Sequence, residues 1–253
     1  MARRSLAGGA TAGAASRVRF APTSNNLLVS SWDSGLRLYD ADANALRFKA
    51  DSEAALLDCC FENESAAFAG CSDGSVRRYD FRSGSEDTVG LHEDVVACTE
   101  YCQITGQIVT GTFNKKLQFW DAKVRSVSPN STITFNSDVT SLSLCGMYIS
   151  AAVAKTVNFY DMRNLTGPVE ANFSPLEYQI RCHQSSAEWD GYVAGSVDGV
   201  VALNYLDDVK NENMGLVLIC FPMSSKFQKR KIQPGSNKLH RNASKQENFC
   251  YWR

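Results

Sequence analysis

Three histidines, His92, His183 and His240, are the side chains of this chain best suited to exchange protons near neutral pH. No segment matches a nucleophile elbow (G-x-S-x-G), a zinc-protease helix (H-E-x-x-H) or a phosphate-binding glycine loop. His92 lies 28 residues before Trp120, a separation that predicts a structural hydrogen bond between turns. His183 is expected beside Arg181 on the top face of the repeat array. The residues therefore predict a protein that is not an enzyme.

The nine cysteines could hold a metal ion or form disulfides, but their spacing argues against both. No C-x-x-C pair occurs, and Cys98 and Cys102, the closest separated pair, have no second pair at zinc spacing. Most of the cysteines fall inside apolar segments that are typical of strands, which predicts buried, reduced thiols. The sequence therefore predicts neither a bound metal nor a cofactor.

A repeated segment that ends in an aromatic residue and an aspartate organises the chain. Its four closing aspartates are Asp40, Asp80, Asp121 and Asp161, at intervals of 40, 41 and 40 residues. Such a period with a Trp-Asp or Tyr-Asp end is typical of the WD-repeat β-propeller, in which each period forms one four-stranded blade. The predicted fold class is therefore all-β, and a propeller of this kind indicates a binding platform.

Each period contains the parts of a blade: an apolar inner strand, a second strand, a turn such as Asp73-Gly74, and a third strand that ends at the closing aspartate. A fifth period is altered, because Tyr205 stands where the closing aspartate is expected. The pattern then stops. We expect a disordered leader at residues 1–16, about five blades at residues 17–206, and a divergent basic tail, disordered for the most part, at residues 207–253.

The formal net charge is −1, but the charges are unevenly distributed. From residue 224 to the end, eight basic residues accompany the single acid Glu247. The cluster Lys229-Arg230-Lys231 in this tail is interpreted either as part of a solvated segment or as a nucleic-acid or nuclear-targeting segment. The repeat region has no comparable basic surface, so nucleic acid is not expected as its partner.

The start of the chain and its hydropathy bear on location. The first 20 residues contain four arginines and no acid, so an organelle transit peptide is an alternative to a disordered leader. They have no apolar core long enough for a secretory signal. No run of 18 apolar residues occurs, and the sequence therefore predicts no membrane span.

Several runs resemble one family of WD-repeat proteins more closely than the repeat alone requires. They are Asn-Leu-Leu-Val-Ser-Ser-Trp-Asp at 26–33, Leu-Arg-Leu-Tyr-Asp at 36–40, Leu-Asp-Cys-Cys-Phe at 57–61, Tyr-Gln-Ile-Arg-Cys at 178–182 and Gly-Tyr-Val-Ala-Gly-Ser-Val-Asp-Gly at 191–199. From about residue 16 to 206 the chain resembles the mitotic-checkpoint WD-repeat proteins of the budding-uninhibited-by-benzimidazole group, and its plant-type members in particular. A sister group, messenger-RNA export WD-repeat proteins at nuclear pores, matches less well.

The resemblance implies a seven-bladed propeller without enzymatic activity, of which this chain carries about five blades. It implies a scaffold of the spindle assembly checkpoint that binds a short acidic motif of the checkpoint kinase and of its pseudokinase-like relative. A kinetochore scaffold protein is the further implied partner, and the implied locations are the nucleus, the kinetochore and also the cytoplasm. The alternatives are a messenger-RNA export adaptor at the nuclear pore and a non-functional truncated isoform.

The resemblance assigns three residues to the peptide-binding site: Trp32, Phe113 and Arg181. Trp32 matches the top-face tryptophan of the first blade, Phe113 stands where the third blade usually has tryptophan, and Arg181 matches the arginine of a Tyr-Gln-x-Arg segment. A loop aromatic offers an apolar anchor, and a nearby arginine pairs with the glutamates of the motif. The alternatives are packed rim aromatics and, for Arg181, a solvated strand end.

The chain also departs from the family pattern. Val200 occupies the place of the arginine in an Asp/Glu-Gly-Arg motif, which removes one partner for a carboxylate. After about Gly215 the sequence no longer resembles the family, although residues 216–221 could add one strand to the fifth blade. Because the family reads phosphothreonine beyond this point, phosphothreonine reading is not expected here. We expect lower stability and weaker peptide binding than in a seven-bladed member.

Overall fold

The structure, a computed structural model, describes residues 14–124, 128–207, 210–211, 215–219 and 228–231. All its named elements are β-strands, and they form five antiparallel sheets that follow one another along the chain. Each sheet corresponds to one period of the sequence. The predicted all-β propeller with five blades is therefore confirmed.

The first three blades each contain four strands, numbered in chain order from the centre outward. Blade 1 consists of β1 (Ala15–Phe20), β2 (Asn26–Ser31), β3 (Gly35–Asp40) and β4 (Ala45–Asp51). Blade 2 consists of β5 (Leu56–Asn63), β6 (Ala66–Cys71), β7 (Ser75–Asp80) and β8 (Glu86–Leu91). Blade 3 consists of β9 (Val96–Cys102), β10 (Gln107–Thr112), β11 (Lys116–Asp121) and β12 (Ser131–Thr134).

The last two blades continue the same order, and the fifth has one strand more. Blade 4 consists of β13 (Val139–Cys145), β14 (Tyr148–Val153), β15 (Thr156–Asp161) and β16 (Glu170–Phe173). Blade 5 consists of β17 (Ile180–Ser185), β18 (Gly191–Ser196), β19 (Val200–Tyr205), β20 (Leu216–Ile219) and β21 (Gln228–Lys231).

A tight turn joins the second and third strands of every blade, and each such turn contains a residue with positive φ. These residues are Ser34, Gly74, Lys115, Ala154 and Gly199. Positive φ closes a tight hairpin without splaying its strands, which is why asparagine, aspartate and glycine are frequent there. At Gly74 a Cβ atom would also lie only 2.6 Å from the carbonyl oxygen of His92. The local sequence therefore fixes where each sheet folds back.

Hydrophobic cores lie between successive blades rather than inside one blade. Among the described residues, four buried clusters join blades 1 and 2, 2 and 3, 3 and 4, and 4 and 5. Their largest fully buried side chains include Leu28 and Tyr79, Phe68 and Trp120, Phe119 and Leu142, and Phe159 and Tyr192. Each blade is thus held mainly by its neighbours, as in other repeat architectures.

The inner strands of the five blades run in the same direction. The Thr99 amide donates a hydrogen bond of 2.9 Å to Asp58 Oδ2, and the His183 amide donates one of 3.1 Å to Ser141 Oγ. These partners stand at corresponding positions of adjacent inner strands, so the strand starts lie at the same end. We call this end the top face. It contains the starts of the inner strands and the turns between second and third strands.

The two ends of the chain extend the first and the fifth blade. Residues 1–13 of the predicted leader lie outside the described residues, and Ala15 already belongs to β1. β20 pairs with β19 and so adds the strand expected from residues 216–221. Inside the predicted tail, β21 pairs with β20, because an edge strand offers unpaired backbone groups. Of the remaining tail, residues 208–209, 212–214, 220–227 and 232–253 lie outside the described residues.

Candidate functional site

Trp32 lies in the top-face turn between β2 and β3, and it is 57% exposed. The turn is held by Asp33, whose carboxylate accepts hydrogen bonds from the Arg37 guanidinium at 2.8 and 3.1 Å and from the Gly35 amide at 3.1 Å. The hydrogen bond from Arg37 keeps the pKa of Asp33 well below its usual range, so the pair is ionised at neutral pH. A fixed turn therefore presents the indole to solvent.

Phe113 has the corresponding position on blade 3, in the turn between β10 and β11. Phe113 and Trp32 both lie eight residues before the closing aspartate of their blade. Phe113 is 40% exposed, and its amide donates a hydrogen bond of 3.4 Å to the carbonyl oxygen of Val95. The two residues that flank Phe113 in the sequence are joined by a hydrogen bond that Thr112 Oγ1 donates to the side chain of Asn114. Blades 1 and 3 thus present aromatic rings at equivalent places.

Arg181 is the second residue of β17, at the top end of the inner strand of blade 5. Its side chain is exposed and makes no hydrogen bond or ion pair with any other residue that the structure describes. The neighbouring Ile180 amide donates a hydrogen bond of 2.8 Å to the carbonyl oxygen of Ala154, in the top-face turn of blade 4. The guanidinium is therefore available to an anionic ligand.

The structure places the three sequence-predicted residues on the same face but on different blades. Trp32 belongs to blade 1, Phe113 to blade 3 and Arg181 to blade 5. The two cavities described below are lined by none of these three residues. An extended ligand that crosses the face could contact both aromatic rings and the guanidinium. This arrangement is typical of peptide binding rather than of catalysis.

The top face also contains exposed apolar residues that the sequence reasoning missed. They are Leu91 at the end of β8, Tyr178 in the loop before β17, and Val197 in the turn of blade 5. Val197 lies eight residues before Tyr205, the same separation as for Trp32, so the period alone could have identified it. Tyr178 lies in a loop between blades and has no such signal. These residues extend the apolar part of the face.

His92 has the structural role that its spacing predicts. Its Nε2 lies 2.9 Å from Thr110 Oγ1, which accepts a hydrogen bond of 2.9 Å from the Trp120 indole nitrogen. The two rings also meet edge to face, 4.9 Å apart. Burial, together with the charge of Lys116, lowers the pKa of His92 to about 4, so the imidazole is neutral at physiological pH. The prediction of a structural hydrogen bond is confirmed.

The sequence places His183 beside Arg181 on the top face, but in the structure it lies farther along β17 and differs from Arg181 in its exposure. His183 is buried, and its Nε2 lies 2.8 Å from Ser150 Oγ of blade 4. His183 lies on the opposite side of the pleat from exposed Cys182, and the register shift between Ile180 and Cys182 breaks the alternation that would place His183 on the same side as Arg181. Burial lowers the pKa of His183 to about 3. The residue connects two blades.

The cysteines behave mainly as apolar residues. Cys59, Cys60, Cys71, Cys98 and Cys102 are buried, as their positions in apolar strands predict. Burial raises the pKa of Cys59 to about 12, so this thiol is protonated. Among the residues that the structure describes, no group of histidine, cysteine and acidic side chains could hold a metal ion. The same part of the chain has no helix long and apolar enough to cross a membrane.

Comparison with known proteins agrees with the repeat and with the resemblance. The family described as "WD domain, G-beta repeat" matches residues 4–40. Mitotic checkpoint protein BUB3.3 of Arabidopsis thaliana is 40% identical over 215 residues, which are 83% of this chain and 67% of that protein. BUB3.1 of the same plant is 38% identical over 76% of this chain and 58% of its own length. Bub3 of Dictyostelium discoideum is 34% identical over 76% and 59%.

The five sheets, their aromatic-aspartate ends and the matched repeat define a WD-repeat β-propeller protein. Within that class, the chain belongs to the BUB3 family of mitotic checkpoint proteins. It spans about 58% to 67% of the length of these three relatives.

Proposed function

We propose that this protein is a non-enzymatic scaffold of the spindle assembly checkpoint. It binds a short acidic motif of the checkpoint kinase and of its pseudokinase-like relative, and it recruits them to a kinetochore scaffold protein. The observation that carries the proposal is the top face, where exposed Trp32 and Phe113 stand on fixed turns and the Arg181 guanidinium has no partner among the described residues. The corresponding locations are the nucleus and the kinetochore, and also the cytoplasm.

The chemistry of the face supports a peptide with apolar and acidic residues. Aromatic side chains at the centre of an interface contribute large apolar contact areas, and arginine binds carboxylates with two parallel hydrogen bonds. The absence of catalysis is supported by His92 and His183, whose ring nitrogens contact buried hydroxyl groups of neighbouring strands. Val200 replaces an arginine of the family motif and so removes one partner for a carboxylate, which makes Arg181 the more important contact for an acidic residue of the peptide.

A messenger-RNA export adaptor is the second candidate. It rests on one relative, the Poly(A)+ RNA export protein of Schizosaccharomyces pombe, which is 27% identical over 81% of this chain and 60% of its own length. The lower identity makes this candidate weaker than the checkpoint scaffold. The two candidates differ in their peptide partner, so one competition experiment separates them.

The test is a titration of the full chain with two labelled peptides, the Glu-Glu motif of the checkpoint kinase and the equivalent motif of a nucleoporin. We expect the kinase peptide to bind more tightly, and Trp32→Ala to weaken it by about 30-fold, the effect of removing an aromatic anchor. Phe20→Ala is the matched control, because Phe20 is 67% exposed at the opposite end of blade 1. A Trp32→Ala variant that binds like the wild-type protein would contradict the proposal.

A further inference from the structure

A cavity of about 250 Å³ opens between blades 3 and 4. Its walls come from the loop that precedes blade 4 and from the two central strands of that blade. The residues that matter most are Phe135, Asn136 and Ser137 in the loop, and Ala154, Thr156 and Asn158 in the hairpin. Because the loop leads into an inner strand and Ala154 lies in the turn, the cavity belongs to the top face.

Blade 4 lacks, at this place, an ion pair that blades 1 and 2 contain. In blade 1 Asp33 pairs with Arg37 at 2.8 Å, and in blade 2 Asp73 pairs with Arg77 at 2.9 Å. In both blades the paired aspartate lies seven residues, and the arginine three residues, before the closing aspartate. Arg77 also donates a hydrogen bond of 2.7 Å to Ser52 in the loop preceding its blade. Counted from the closing aspartate, the corresponding residues of blade 4 are Ala154 and Asn158, which are shorter and uncharged. The turn of blade 4 is also one residue shorter, because Val153 pairs with Thr156, and Ala154 has the positive φ of this turn.

Two backbone hydrogen bonds place the cavity between the residues assigned to peptide binding. On one side, the Phe135 amide donates a hydrogen bond of 2.8 Å to the carbonyl oxygen of Lys115, two residues after Phe113. On the other side, the Ile180 amide donates one of 2.8 Å to Ala154, next to Arg181. A peptide that contacts both Phe113 and Arg181 therefore passes over the cavity.

The cavity has the chemistry to receive an anionic side chain. The side chains of Asn136, Ser137, Thr156 and Asn158 make no hydrogen bond with any other residue that the structure describes. Three basic residues lie near the cavity: Lys115 and Lys155 in the two adjoining turns, and Arg181 at the start of β17. The loop that precedes blade 4 contributes one acidic residue, Asp138. Phe135 and Val153 supply apolar walls for the methylene groups of a long side chain.

We propose that this cavity is a subsite that receives one glutamate side chain of the bound peptide, with Asn158 as the residue that recognises its carboxylate. The inference rests on the proposed peptide-binding function and adds a residue that determines specificity. Asn158 donates through its amide, and the lysines of the adjoining turns favour the negative charge. Arg181 then serves a second acidic residue of the same peptide.

The test compares the kinase peptide carrying its Glu-Glu motif with two analogues, each with one glutamate replaced by glutamine. We expect one analogue to bind the wild-type chain about tenfold more weakly, as for a hydrogen bond to a charged group. Asn158→Asp changes the charge of the side chain but hardly its size. This variant should bind the Glu-Glu peptide about tenfold more weakly than the wild-type chain does, and no more tightly than it binds that analogue. Arg181→Gln should bind the Glu-Glu peptide and the other analogue with equal affinity.

A second variant keeps the test independent of any folding defect in the first. Ala154→Asp combined with Asn158→Arg introduces the two residue types of the blade 2 pair and fills the cavity with a larger side chain. Ala154 has a positive φ of 53°, which aspartate adopts more readily than most residues. We expect its melting temperature to match or exceed that of the wild-type chain, while its discrimination at the same glutamate is lost. If both variants discriminate like the wild-type chain while Trp32→Ala weakens binding, the subsite is wrong and the proposed function stands. If the wild-type chain binds none of the peptides, both fail.

Discussion

At the scale of single residues, the ion pair of Asp33 and Arg37 connects stability to function, because it lies directly beneath the turn that presents Trp32. Both side chains are largely removed from solvent, and their atoms approach to 2.8 Å. Removing the cation leaves an ionised carboxylate without its partner in a poorly hydrated place, which costs far more than losing a surface pair. The residue that binds and the residue that supports it are thus five positions apart.

We therefore predict that Arg37→Met lowers the free energy of unfolding by about 3 kcal/mol, as measured by urea denaturation. The same variant should bind the kinase peptide more weakly, because the Trp32 turn loses its support. Arg47→Met is the matched control, since Arg47 forms an exposed pair with Asp40 at 3.8 Å and should contribute less than about 1 kcal/mol. Equal losses in the two variants would contradict this account of the turn.

His92 gives a prediction about pH. Its pKa in the folded protein is about 4, against about 6.5 in an unfolded chain. The neutral form is favoured by folding, so its contribution to stability is complete above pH 6.5 and is lost as the pH falls toward 4. Between pH 7 and pH 5 this loss is about 2 kcal/mol for His92. His183, with its pKa lowered to about 3, changes in the same direction.

The measurement is urea denaturation of the wild-type chain and His92→Gln at pH 7 and pH 5. Glutamine can still form a hydrogen bond with Thr110 but does not titrate, so the variant should lose about 2 kcal/mol less than the wild-type chain over this range. Other titrating groups are common to both proteins and cancel in the comparison. An identical pH dependence in both would mean that His92 is not held neutral in the fold.

At the scale of elements, the second strands of the blades carry small residues where the next blade packs. A Cβ atom on Gly111 of blade 3 would lie 2.5 Å from the Val139 side chain of blade 4. A Cβ atom on Gly195 of blade 5 would meet only its own blade, with Cys182 Sγ at 3.1 Å. The close approach at Gly111 therefore reflects a tight contact between blades, and Gly195 faces no such contact.

We predict that Gly111→Ala lowers the free energy of unfolding by about 1–3 kcal/mol, because the extra methyl group overpacks the junction of blades 3 and 4. Gly195→Ala is the matched control and should change stability by less than about 0.5 kcal/mol, since Cys182 is exposed and can move. Thermal or urea denaturation measures both. A larger loss in Gly195→Ala than in Gly111→Ala would contradict the assignment of the blade contacts.

The elements also show what the sequence could and could not predict. The period located the first three strands of the blades and the turn between the second and third, because hairpin chemistry and strand alternation are local. It did not locate the outer strands β4, β8, β12 and β16. Arg37, Arg77, Gln118 and Asn158 could be recognised as equivalent polar positions. Their different roles could not be predicted, because each role depends on the loop that precedes the blade. Arg77 contacts Ser52 of that loop in blade 2, whereas Asn158 lines a cavity with Phe135 of the corresponding loop in blade 4. The cavity of blade 4 therefore depends on how the preceding loop packs, which the repeat period does not determine.

At the scale of the whole molecule, the blades form a linear series of contacts. Among the described residues, hydrophobic clusters join each blade to the next, and none joins blade 5 to blade 1. A cavity of about 530 Å³ lies between these two blades, lined by residues such as Val18 and Val201. Besides its contacts with blade 2, blade 1 is attached to blade 3 by the ion pair of Arg19 and Glu100. The two outer blades therefore have fewer stabilising contacts than the three between them.

This asymmetry predicts the order in which the molecule opens. In native-state hydrogen exchange, we expect amides of β2 and β18 to exchange at least about tenfold faster than those of β10 and β14, because an array with weak ends opens from those ends. Arg19→Met should accelerate exchange further in blade 1 and leave blade 5 unchanged, since Arg19 holds blade 1 to blade 3. Equal protection in all five blades would mean that blades 1 and 5 stabilise each other across the cavity, and the open junction inferred from the packing would then be wrong.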